Sequence, residues 1–345
     1  ADQMISKSKN ILIYVTILLG VVTTYNGLID INFVTKITSI SLDVYYFKLT
    51  ILVALIEVIR KKLKVSYIIT GLSVIGLLSV STDTIWPLFI VVGFFLSSYV
   101  LGHYFLKVIN ISRQNALIST LAGVIFYGSI VSILVHFPVN YPGTYGLAIL
   151  TPIVLGRNII INTLSSFFRN MPFVKKTDWL SLSILVFIVI YVLIVLMPEV
   201  RNDALAMHLF IPHHVFYNHE WGFDVGKYVW AVMPTMGDWI YSFVYMLGGE
   251  TSVRLINFSF ILILSRLTYE LVLWIKGNET GAKWAVLILL SSPLTLLESS
   301  SVFIEPIWSV FVVAGVMMVM KLMLINHTNN KNYLIISAIL LGGAL

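Results

Sequence analysis

Apolar residues in this chain fall in long unbroken blocks rather than in alternation with polar ones. The blocks lie at about 11–29, 44–59, 65–80, 88–106, 116–135, 146–161, 179–197, 255–275, 284–297, 306–325 and 333–345. A helix rising about 1.5 Å per residue needs about 20 residues to cross a hydrocarbon core of roughly 30 Å. The blocks approach that length and lack the period-2 alternation of a membrane barrel, so each predicts a transmembrane helix. The pattern as a whole predicts an all-α, polytopic transmembrane helical bundle of about 11 spans. Two further stretches, Asp203–Ile211 and Thr235–Leu247, set apolar residues at helical spacing among polar ones. They predict amphipathic helices lying along the bilayer interface, both carried by one long external loop over about 198–254.

Composition agrees with a lipid solvent. Apolar residues make up 58% and charged residues 11%, with a mean hydropathy of +0.93. A soluble domain carries about 25% charge, so a soluble multi-domain protein is excluded. The net charge of +6 and pI of 9.3 could suggest nucleic acid. In a chain embedded in lipid they fit basic loops beside anionic headgroups better, so membrane lipids are expected partners and nucleic acid is not. The absence of cysteine excludes disulfides, thiolate metal sites and a cysteine nucleophile.

Lysine and arginine orient the bundle. With the N-terminus cytoplasmic, the inner loops hold Lys7, Lys9, Arg60, Lys61, Lys62, Lys64, Lys107, Arg113, Arg169, Lys175, Lys176, Lys276, Lys283 and Lys331. The outer segments hold only Lys36, Arg201, Lys227 and Arg254. That bias of 14 against 4 holds across every span and supports both the count and the orientation. The chain stops inside its last apolar block, as a fragment or a chain with an unusually terminal helix would.

The external loop concentrates the chemistry. It carries Glu199, Asp203, Glu220, Asp224, Asp238 and Glu250, six of sixteen carboxylates, and His208, His213, His214 and His219, four of seven histidines. A solvated loop must hold polar residues in any case, and Asp203 also suits the ordinary role of helix N-cap. Their order adds more. A span ends in an external acidic residue, followed by D-x-L-x-x-H-L-x-x-P at Asp203, Leu205, His208, Leu209 and Pro212. Then come Tyr228, Pro234 and Leu247-Gly248-Gly249, and later Ser291-Ser292-Pro293 through Glu305-Pro306.

In these features residues 179–345 resemble the GT-C glycosyltransferases, polytopic enzymes that move sugar from a polyprenyl-phosphate carrier at the non-cytoplasmic face. The resemblance divides the chain into a six-span N-terminal region, 1–178, and a GT-C-like core, 179–345, which stops short of the later helices of many relatives. It implies a bacterial plasma-membrane setting, a lipid-linked sugar donor and an undefined acceptor. The second-loop acid is Glu305, where relatives frequently carry Asp. No Gly-rich phosphate loop or dinucleotide fingerprint is present, which agrees with a donor delivered by lipid.

Inverting transfer needs a base for the acceptor hydroxyl and a counter-charge for the departing phosphate. The reading assigns catalysis to Asp203, as base, and Glu305. Substrate binding falls to Arg201, His208, Lys227, Tyr228 and Arg254, with headgroup snorkelling the alternative for the arginines. No cofactor follows from the sequence; a divalent metal, Zn²⁺ or Mn²⁺, could be held with His208 and Glu305 among its ligands, the alternative being plain hydrogen-bonding histidines. Two rivals stand beside the enzyme. A secondary transporter or flippase would place ionisable residues near the midplane, whereas Glu57 has Arg60 nearby and Arg266 has Glu270 one turn away. A non-catalytic membrane assembly partner would bind the donor without turnover.

Overall fold

A computed structural model describes residues 53–54, 56–111, 115–170, 177–222, 226, 235–324 and 330–344. The first apolar block and most of the second lie outside the described residues, as do Lys227, Tyr228 and Pro234. Every described residue in regular structure is helical. The helices are α1 (Tyr67–Ser81), α2 (Ile85–Val108), α3 (Ala116–Leu134), α4 (Pro142–Leu155), α5 (Arg157–Arg169) and α6 (Trp179–Val195). A π-helical turn, Ala204–His208, leads into α7 (Phe210–Asn218). There follow α8 (Met236–Trp274), α9 (Glu279–Ser291), α10 (Pro293–Ser300), α11 (Glu305–Leu324) and α12 (Asn330–Gly342).

Each apolar block from 65 onward is helical, but not each is one straight span. Among the described residues four helices are long and apolar enough to cross a membrane, or six if two bent pairs count as one span each. Block 146–161 is divided between α4 and α5, which meet at 72° around Gly156. Block 284–297 turns by 65° between α9 and α10 at Ser292-Pro293. Proline there has no N–H to continue the helix and biases Ser292 toward its observed extended conformation.

The stretch Thr235–Leu247 differs from expectation. It is helical, yet every residue from Gly237 to Val244 is buried, so it lies inside the protein rather than along the bilayer surface. It forms the first part of the 39-residue α8, which breaks at Gly249 (φ 65°, ψ −160°). Only glycine adopts that conformation readily. On its inner side Phe243 rests on Phe94, Tyr127 and Tyr145, with ring centroids 5.2, 4.6 and 5.0 Å away. The residues that seat α8 thus come from α2, α3 and α4.

Helices α2 and α3 meet without intervening side chains. Ser98 and Gly102 on one, Ser119 and Gly123 on the other, repeat the four-residue spacing that lets membrane helices approach closely. A Cβ on Gly102 would lie 1.7 Å from the Ser119 carbonyl oxygen, and one on Gly123 would lie 1.8 Å from that of Ser98.

Polar contacts sort the chain's connections into two ends. At one, Thr177 and Arg60 donate to Glu57, and Lys283 donates to Asp178 at 2.7 Å. At the other, Asn140 donates to the His219 carbonyl, and Ser301 donates to Glu199. This grouping matches the alternation expected from the basic residues, and the first group carries the basic loops. Arg266 also makes the expected bond to Glu270, at 2.8 Å.

Candidate active site

The candidate residues gather at the end opposite the basic loops. Two connections meet there, one running from α6 to α8 (the first loop) and one running from α10 to α11 (the second loop). The π-turn of the first loop buries His208, whose Nδ1 lies 2.7 Å from Asp238 Oδ1 in the first turn of α8. Asp238 is fully buried. Its second oxygen accepts from both the backbone N–H and the hydroxyl of Thr235, at 2.8 and 3.1 Å. Capping α8 and orienting His208 are therefore done by one carboxylate. An ionised carboxylate only accepts, so the proton belongs on Nδ1, and in the neutral ring Nε2 is left as an acceptor.

Glu305 opens α11 and is exposed, and Glu298 near the end of α10 is half-buried. The charges of Glu305, Arg201 and His208 all act on the Glu298 carboxyl. Burial is the largest influence on Glu298; Glu305 adds to it, and Arg201 opposes it. The outcome is a carboxyl pushed up to about 7. The folded protein therefore retains on Glu298 a proton that the unfolded chain releases between about pH 4.5 and about pH 7. The contribution of this group to stability is greatest at the acid end of that window and declines as pH rises through it. Glu298→Gln should flatten that slope, which thermal unfolding in detergent across the window would measure.

Among the predicted residues, Arg201, His208 and Glu305 are thus brought to one place. Asp203 is exposed two residues beyond Arg201, and it makes no side-chain capping bond. Arg254, expected to bind the donor phosphate or else to snorkel to the headgroups, is instead buried within the protein. It is 3% exposed, and its Nη2 donates to the carbonyls of Ile194 (3.0 Å) and Ser300 (2.6 Å). Lys227 and Tyr228 lie outside the described residues. The other loop histidines serve the scaffold or the surface. His219 ends α7 in a left-handed conformation and bonds the Asn140 carbonyl through Nδ1, while exposed His213 lies against Tyr217.

Sequence reasoning singled out neither Asp238 nor Glu298 as part of the site. For Asp238 a signal existed, because Thr235-x-x-Asp238 has the spacing of a capping box. Glu298 sits in an apolar run with no local mark. Among the described residues no three His, Asp or Glu side chains are placed to hold a metal ion. His208 Nδ1 is committed to Asp238.

An apolar groove of about 220 Å³ runs beside this cluster, lined by Thr235, Met236, Ile304, Ile307 and Trp308 among others. Thr235 is the residue that secures Asp238, and Ile304 immediately precedes Glu305. Polar and apolar surfaces thus adjoin, as a substrate with a charged head and a hydrocarbon tail would require.

No curated protein and no solved structure matches the chain. A family model does, over the segment that contains Asp238, Arg254, Glu298, Glu305 and the groove; Arg201, Asp203 and His208 precede it. Residues 224–345 match the model of the dolichyl-phosphate-mannose-protein mannosyltransferase family, GT-C membrane glycosyltransferases that draw their sugar from a polyprenyl-phosphate carrier.

Proposed function

We propose that this chain transfers a sugar, with inversion, from a polyprenyl-phosphate-linked donor to an acceptor at the non-cytoplasmic face of a bacterial plasma membrane. The family match names the chemistry, and one observation carries the placement: Arg201, His208 and Glu305 converge beside an apolar groove. The bias of basic residues toward the opposite end supports the facing, by the positive-inside rule.

In this reading the prenyl chain lies toward Ile304 and Trp308, with its phosphate near Arg201. Lys227 and Tyr228 complete the donor contacts. The acceptor oxygen attacks the anomeric carbon, the bond from that carbon to the phosphate oxygen breaks, and polyprenyl phosphate departs. Asp203 takes the acceptor proton as general base, and Arg201 offsets the charge growing on the phosphate. His208, held by Asp238, offers Nε2 as an acceptor to a sugar hydroxyl. Glu298, its proton held by burial and by the Glu305 charge, leaves one negative charge rather than two near the phosphate.

Arg201→Gln should weaken binding of a polyprenyl-phosphate sugar by about tenfold or more, consistent with about 1.5–3 kcal/mol for a hydrogen bond to a charged group. Thermal stability should hold, because Arg201 is exposed. Wild-type donor affinity in this variant, measured on purified protein in lipid nanodiscs, would remove Arg201 from the phosphate site. Donor binding without transfer by the native chain would favour the assembly-partner reading.

A further inference from the structure

A network of hydrogen bonds joins the two loops, and it centres on a carboxylate to which the chemistry above gives no role. Glu199 is 7% exposed. Its Oε1 accepts from the backbone N–H groups of Val200 and Arg201, at 2.9 and 3.0 Å. Its Oε2 accepts from the Ser301 hydroxyl and the Val302 N–H, at 2.9 and 3.0 Å. One oxygen therefore holds the first loop and the other the second.

The carboxylate is itself anchored to α8. Arg254 Nε stands 4.0 Å from Oε2, and the same guanidinium ties down the end of α6 through Ile194 and the second loop through Ser300. Glu250, next to the break at Gly249, accepts the Glu199 backbone N–H at 2.6 Å. One turn beyond Arg254, Asn257 donates to the carbonyls of Glu298 and Ser301, at 2.7 and 2.6 Å. Tyr241 bonds both Asn257 and the Phe303 carbonyl. A buried polar stripe on α8 thus grips the second loop by its backbone.

We propose that Glu199 is a positioning residue for sugar transfer, a clasp that sets the first loop against the second. Arg201 follows Glu199 by two residues, and Glu298 and Glu305 flank the Ser301–Val302 attachment by three on either side. The offset between the cation at the donor phosphate and the acidic pair is then governed by this one carboxylate. Four donors converging on two oxygens are directional, so a side chain that cannot accept on both sides releases one loop. Gln is such a side chain, because its amide nitrogen only donates.

The activity arm of the test rests on the transferase reading, while the geometric arm does not. The chain has no native cysteine. Spin labels at Leu205→Cys in the first loop and Leu294→Cys on α10, which leads into the second, both exposed, would report the separation of the two segments in the full chain in nanodiscs. Glu199→Gln in this background should broaden or shift the distance distribution. With a polyprenyl-phosphate sugar as donor, kcat should fall about 10²-fold, the scale of a misplacement near 1 Å, with the donor KM little changed. Ser301→Ala removes a single bond and keeps the Val302 contact, so it should broaden the distribution less and lower kcat by a smaller factor. It also serves where Glu199→Gln fails to fold. An unchanged distribution in the variant that folds would overturn the proposal. So would a loss of thermal stability with kcat per folded molecule unchanged, which is the signature of a purely structural contact. Absence of transfer in the native chain would count against the proposed function, and the label distances would still decide the clasp.

Discussion

Asp203→Asn is expected to lower sugar transfer by roughly 10²–10⁴-fold, the range that general base catalysis supplies. A base needs an ionisable carboxylate, whereas a helix cap needs only an oxygen acceptor, and Asn caps about as well as Asp. The structure sharpens the contrast. Asp203 is exposed with helical backbone angles and makes no capping bond, so neither fold nor thermal midpoint should respond to the change. Donor binding should persist as well, since the phosphate contacts are assigned to other residues, Arg201 first among them. The check is a transfer assay beside donor-binding and melting curves on the same preparation. Adding Mn²⁺ or Zn²⁺ to the variant separates base loss from ligand loss, because restored activity would point to metal ligation. Near-normal transfer without added metal would leave the acceptor proton to another group and remove Asp203 from the mechanism.

Gly102→Leu is expected to be the most damaging change in the scaffold, costing about 3 kcal/mol or more, at or beyond the upper end of ordinary overpacking. The added Cβ alone would lie 1.7 Å from the Ser119 carbonyl oxygen and 2.7 Å from the Gly123 amide nitrogen. Both neighbours are backbone, so no side chain can rotate away, and α2 and α3 must separate along their length. Separation would also disturb the hydrogen bond between Ser97 and Tyr127, and with it the ring on which Phe243 packs. A thermal melt in detergent measures the loss. A control at Gly143, where an added Cβ meets nothing within 4 Å, should show little change.

The chain's hydropathy shows where helices lie more readily than where they bend. The breaks at Gly156, Gly249 and Ser292-Pro293 fall inside or beside apolar stretches, and a bend between two apolar helices leaves the hydropathy unchanged. The burial of Gly237–Val244 was hidden for a related reason. Trp239, Ile240, Phe243 and Val244 give the same periodicity whether the partner is lipid or protein. Ser98, Gly102, Ser119 and Gly123 did carry a readable spacing, which gains meaning only once the two helices are known to face each other.

Part of the site was legible because loop chemistry is rare in a chain with 11% charge. Arg201, His208 and Glu305 stand out on that ground and do come together. Their partners do not stand out, because the pairing of His208 with Asp238 spans 30 residues and the charges acting on Glu298 come from separate loops. Arg254 illustrates the converse. A cation at a helix end suits a ligand phosphate or a set of backbone carbonyls equally well, and only packing distinguishes them.

The seat of Phe243 on Phe94, Tyr127 and Tyr145 bears on how the protein could be divided. The segment that carries the family signature, 224–345, opens its first described helix on rings supplied by residues 94–145. Expressed alone it would present Phe243, Val244 and Ile240 to lipid or detergent, and the turn holding Asp238 would lose both His208 and the floor beneath it. Evolutionary kinship and folding autonomy therefore follow different boundaries in this chain. Any chimera that exchanges the matched segment must carry α2, α3 and α4 along with it.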